Sequence, residues 1–106
     1  MMHLSKVKKE TNIRGITAQT LVDVEETVIK ALTLQPHQTI PVHQVPVLVT
    51  FFVLNGSGSI RIGEVQYEVK EHSLVTCPKN APMAVEAYDR GLVFLNIKTP
   101  AFKPKA

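Results

Sequence analysis

The sequence predicts an all-β domain whose sheet closes into a barrel or folds into a sandwich. Three observations carry that prediction. The composition is 44% apolar yet poor in aromatics, with four Phe, two Tyr and no Trp. It is rich in Val and Thr, which suit a pleated, half-buried surface. Short runs with period-two alternation are separated by Gly, Pro and Asn turn residues. Helical periodicity is lacking: Leu21 to Leu32 can be forced onto a helix, but its Thr and Val content argues for strand. Eight or nine strands without an intervening helix must close on themselves or stack to protect their edges.

In chain order, residues 1–12 are polar and basic and are expected to be loose. Thr27 to Leu34 alternates Val28 and Lys30 with Ile29 and Ala31 and runs into a turn at Gln35-Pro36. Val45 to Leu54 is apolar at almost every position, the pattern of a strand buried on both faces. Asn55-Gly56-Ser57-Gly58 supplies positive-φ residues for a tight reversal, and its match to a glycosylation acceptor is read only as a turn. Ser59 to Ile62 and Val65 to Lys70 alternate around a turn at Gly63-Glu64. Leu74 to Cys77 is a further strand, stopped by Pro78. Pro82 to Tyr88 and Gly91 to Lys98 are expected as a final hairpin around Asp89-Arg90. Two prolines keep residues 100–106 irregular, with Phe102 free to pack onto the barrel or a partner. No linker or repeat divides residues 1–106, so they read as one domain, and this length suits one core rather than two.

Several function classes are disfavoured. The net charge is +3, but lysines cluster at the two ends and the middle is balanced, so no basic stripe for nucleic acid appears. No apolar run approaches the roughly 18 residues that span a bilayer. The start, Met1-Met2-His3-Leu4-Ser5-Lys6, lacks an apolar leader, which makes the cytoplasm the expected compartment. The lone Cys77 excludes an internal disulfide and a cysteine-based zinc motif. Gly56-Ser57-Gly58 lies between strands rather than before a helix, so it is no phosphate loop. Neither a serine nucleophile elbow nor a carboxylate pair is recognisable, and Tyr67 and Tyr88 read as strand residues without a catalytic role.

The strand and turn spacing resembles the cupin family of small jelly-roll barrels across about residues 27–99. Phe52-Val53-Leu54-Asn55-Gly56 is similar to the aromatic-Val-Leu-Glu-Gly that closes the first cupin motif. With the last glycine of that motif at Gly56, its histidines fall on His43 and Val45, its glutamate on Val49 and its leading glycine on His37. With the proline of the second motif at Pro78, its glycines fall on His72 and Asn80 and its histidine on Met83. Ile60-Arg61-Ile62-Gly63 and Tyr67-Glu68-Val69-Lys70-Glu71 also look like the family. The resemblance implies a single jelly-roll barrel, and a metal site of three histidines and a glutamate of which this chain keeps only His43.

Strand parity supports the same placement without the family. Residues 43, 45, 47, 49 and 51 share one face of a continuous strand and read His, Val, Val, Val, Phe. Met83, Val85 and Ala87 share another. The predicted lumen is therefore His43, Val45, Val47, Val49, Phe51, Met83 and Val85, a container for a small apolar ligand or one filled by its own side chains. His43 is expected to be buried or half-buried, satisfied by Gln44, Gln38 or a backbone carbonyl, with desolvation disfavouring its charged form. No metal ligand set is evident. If an ion is held, it is a single divalent or copper ion at His43 and Met83, the thioether suiting Cu(I).

The leading expectation is thus a non-catalytic small-ligand-binding or structural module. A metal-dependent cupin enzyme, a dioxygenase or isomerase drawing on His37, His43, His72, Cys77 or Met83, is the alternative, and a regulatory subunit dependent on a partner is a third. His37 and His72 read as surface turn residues, His3 as uninformative, and Cys77 as inert packing despite nearby Lys79. By analogy with the family, Val24 to Leu34 and Phe102 are the expected homodimer contact.

Overall fold

A computed structural model of the chain describes residues 1–102, so residues 103–106 of the expected irregular C-terminal segment lie outside the described residues. Eight strands follow in order: β1 (Glu10–Thr11), β2 (Thr17–Asp23), β3 (Val28–Leu34), β4 (Thr39–His43), β5 (Leu48–Ile62), β6 (Val65–Lys70), β7 (Leu74–Cys77) and β8 (Met83–Thr99). All neighbours pair antiparallel.

Two strands serve both layers of the resulting jelly roll. The first half of β5 pairs with the second half of β8, from Leu48 opposite Thr99 to Gly56 opposite Leu92. Around this pair β3, β2 and β1 extend one side and β7 the other. After a register shift at Gly56/Gly58, the second half of β5 pairs with the first half of β8, from Gly58 opposite Ala87 to Ile62 opposite Met83. This second layer is flanked by β4 and β6. Hydrophobic side chains from both layers form one buried cluster that includes Val49, Phe51, Val53, Ile60, Met83, Leu92 and Phe94. The Phe51 and Phe94 rings meet at 5.6 Å with a 53° tilt.

Three expectations are corrected here. Asn55-Gly56-Ser57-Gly58 is not a tight reversal: β5 runs through it for 15 residues and changes layer there. The final hairpin around Asp89-Arg90 is likewise one 17-residue strand, β8, that bends at Gly91. Both bends use positive φ, 85° at Gly56 and 75° at Gly91. They also bring the two backbones so close that a β-carbon on Gly56 would overlap the Gly91 carbonyl. The same residue chemistry serves a hairpin or a bulge, and pairing across both layers selects the bulge. Thirdly, the run from Val45 to Leu54 is buried on one face only. Val49, Phe51 and Val53 are buried, whereas Leu48 is 43% exposed and Phe52 and Leu54 are half-buried. Phe52 is covered instead by stacking on the His72 ring, with centroids 6.3 Å apart.

Residues 1–12 carry more structure than expected. A 3-10 turn at Leu4–Lys6 precedes β1. The buried Gln19 amide holds this segment against the first layer, donating to the Leu4 and Val7 carbonyls at 2.9 and 3.1 Å.

Candidate ligand-binding site

At one end, the space between the layers is a cavity of about 360 Å³. Cross-strand register decides which side chains face it. Lys30 lies opposite Asn96, and Asn96 lies opposite the buried Phe51. Lys98 lies opposite Val28 and Val49, both buried. Residues directly opposite one another project to the same face, so Lys30, Asn96 and Lys98 all point inward from the first layer. Each is half-buried and each lines the cavity. Leu32 and Phe51 supply apolar wall on that side, and Ile40, His43 and Val85 face them from the second layer. Glu10 of β1 stands at the exposed rim.

The electrostatics of this cavity are cationic. Burial, and secondarily the charge of Lys30, push the Lys98 ammonium below the ordinary lysine range. The Lys98 main chain is fixed by Thr27, whose hydroxyl donates to the Lys98 carbonyl at 2.8 Å. Among the described residues neither lysine is within ion-pair distance of a carboxylate.

The predicted lumen residues divide into two groups. His43, Phe51 and Val85 line the cavity, the latter two being core residues as well, while Val45, Val47, Val49 and Met83 belong to the packed core alone. Val45 and Val47 sit in the β4–β5 connection rather than on a strand continuous with His43. His43 itself is exposed at the mouth, not buried or half-buried as expected. Its hydrogen bond does go to a backbone carbonyl: Nδ1 lies 3.0 Å from the oxygen of Pro41. A carbonyl can only accept, so Nδ1 carries the proton, which in the neutral ring leaves Nε2 as an acceptor. His43 and Met83 are register partners across β4 and β8, but Met83 is 1% exposed and packed among hydrocarbon.

The other candidates are scattered. His37 is exposed and 3.6 Å from Asp89, and His72 is exposed and 3.4 Å from Glu71. Both take positive φ, 67° and 73°, as does Asn80 at 67°. These are three of the four positions aligned with cupin-motif glycines, Gly56 being the fourth, and all four take positive φ although three of the side chains are not glycine. Cys77 is buried, its thiol 3.5 Å from the Pro78 and Ala81 carbonyls, and burial raises its pKa. Among the described residues no three of His, Cys, Asp and Glu converge as a metal would require. At the four family ligand positions, His43 is a nitrogen donor and Met83 a soft thioether, while Val45 and Val49 donate nothing. This set does not fit the three-histidine, one-glutamate centre, and two lysines facing the same space repel a cation.

Sequence reasoning missed Lys30, Asn96 and Lys98. The signal was present in the alternation of Val28, Lys30 and Leu32 and of Phe94, Asn96 and Lys98. Lys98, near the C-terminus, reads in the sequence as one of the lysines clustered at the chain ends. As for the expected dimer segment, β3 has both edges occupied by β2 and β8, Val24 is 48% exposed, and Phe102 packs against the core. No helix is long and apolar enough to cross a membrane among the described residues.

No family model matches the sequence, and no curated protein matches it. Solved structures do. An RmlC-like cupin from Shewanella frigidimarina NCIMB 400 superposes with a TM-score of 0.90 at 14% identity, covering 97% of this chain and 92% of the other. The polyketide cyclase RemF from Streptomyces resistomycificus gives 0.85 at 19% identity, covering 98% and 81%. A predicted oxalate decarboxylase from Thermotoga maritima gives 0.83 at 14% identity, covering 95% and 99%. Such similarity establishes architecture and leaves activity open. The chain has the jelly-roll fold of these cupins.

Proposed function

We propose that this chain is a non-catalytic barrel that binds a small organic ligand without a metal ion. The observation that carries the reading is the inward row of Lys30, Asn96 and Lys98 facing His43 across a cavity walled by Leu32, Ile40, Phe51 and Val85. A mostly apolar recess with a few convergent polar groups is the usual form of a ligand site, and about 360 Å³ falls at the small end of the ~300–1,000 Å³ range of such sites. The donor set at the family's ligand positions supports the metal-free part of the proposal.

Elemental analysis of protein grown in metal-rich medium and purified without a histidine tag tests it. The expected result is substoichiometric metal that His43→Ala leaves unchanged. One tightly held ion per chain, lost in His43→Ala, overturns the reading in favour of a metal enzyme.

A further inference from the structure

We infer that the barrel cavity selects a small organic carboxylate, with Lys30 and Lys98 pairing its negative charge and Asn96 donating to the same group. This rests on the cavity being a ligand site, as proposed above, and adds the charge and class of the ligand. Two ammonium groups on one inner face are an unfavourable arrangement by themselves. Both are half-buried, burial and the Lys30 charge disfavour the Lys98 ammonium, and no carboxylate among the described residues lies within ion-pair distance of either. A bound anion removes both penalties together. The Asn96 side chain stands between them in the register, opposite Lys30 and one inward-facing position from Lys98. It offers two neutral N–H donors to a carboxylate oxygen.

The rest of the cavity argues for an organic anion rather than an inorganic one. Leu32, Ile40, Phe51 and Val85 present hydrocarbon that inorganic phosphate would leave wet, whereas an alkyl or aryl carboxylate would cover it. Lysines act as point charges without the planar fork by which arginine grips phosphate, and the cavity contains no arginine. Glu10 at the rim bars a ligand with a second negative charge at its outer end, which favours a monocarboxylate.

Isothermal titration calorimetry on the full chain at pH 7 tests this with hexanoate, hexanamide, benzoate, benzamide and inorganic phosphate as probes. The expected result is that each acid binds at least tenfold more tightly than its amide. Lys30→Met and Lys98→Met should each bring the acid-to-amide ratio close to one, and Lys98→Gln should do the same if the methionine variant fails to fold. Equal binding of acid and amide to the wild type, or an unchanged preference in the lysine variants, overturns the carboxylate assignment and leaves the binding module standing. Phosphate binding more tightly than either acid overturns the organic class. Failure of every probe at millimolar concentration overturns both this inference and the proposed function.

Discussion

At the scale of single residues, the structure separates groups that are merely present from groups that are placed to act. Cys77 is of the first kind. Its sulfur is buried among Val49, Met83 and neighbouring core residues, and burial raises the thiol pKa, so both access and thiolate fraction are low. Iodoacetamide at pH 8 should therefore modify the native chain at least 100-fold more slowly than the urea-unfolded chain. A native rate equal to the unfolded one would contradict the burial. Lys79 follows in sequence but does not activate the thiol, whose nearest polar neighbours are two carbonyl oxygens. His43 shows the limit of parity reasoning at this scale. Period two placed it on the lumen side, where it lines the cavity. Parity says nothing about depth, and the end of β4 at His43 leaves the ring at the mouth. The three lysine and asparagine positions show the converse. Each was legible from alternation with buried Val28 or Phe94, but a charged or amide side chain reads as solvated until the register is known.

Among the elements, β5 and β8 decide the architecture because each contributes to both layers. The stretches that form β3 and β5 to β8 were legible, since alternation of apolar and polar residues survives in Ser59–Ile62, Val65–Lys70 and Leu74–Cys77, whereas β2 at Thr17–Asp23 and β4 at Thr39–His43 were not marked as strands. The connections between them were not, for a physical reason. Glycine with positive φ marks a place where the chain departs from a flat strand, and a two-residue hairpin and a layer-crossing bulge make the same local demand. Only the partner strand distinguishes them. Gly56 is constrained twice, by φ of 85° and by the Gly91 carbonyl lying where its β-carbon would go. Gly56→Ala should cost about 2–6 kcal/mol, combining positive-φ strain with local overpacking. Urea denaturation followed by far-UV circular dichroism measures it, and a loss below about 0.5 kcal/mol, the range of an ordinary surface substitution, would show that the crossing relaxes. The N-terminal segment escaped notice for another reason. Gln19 holds it through backbone carbonyls, which carry no residue signature.

For the whole molecule, the central fact is a barrel that packs one part of its interior with hydrocarbon and opens another part as a cationic recess. The packed part includes Val45, Val49 and Met83, three of the four positions at which the family holds its ligands, and its tightness should be felt as stability. Phe51 belongs to both parts, 1% exposed and lining the cavity floor. Phe51→Ala should destabilise by about 3–5 kcal/mol, as large-to-small core changes do, with the loss read from the urea midpoint. The cationic part should show the opposite sign. Lys98 has a folded pKa below its ordinary value of 10.5, chiefly through burial and then through Lys30. Across the window between that lowered value and 10.5, the unfolded chain binds the proton more readily than the folded one, so stability rises with pH. Below the window the ammonium is charged in both states and the full penalty of burying it remains. Lys98→Met removes that penalty, so the variant should melt higher than wild type at pH 7. The gap between variant and wild type should then narrow as pH is raised through the window, because the wild-type lysine discharges while methionine is indifferent to pH. Thermal melts of both chains from pH 7 to 10 measure this difference. A methionine variant that melts lower at pH 7, with a gap independent of pH, would mean that Lys98 is solvated and that the recess carries no stored charge for a ligand to relieve.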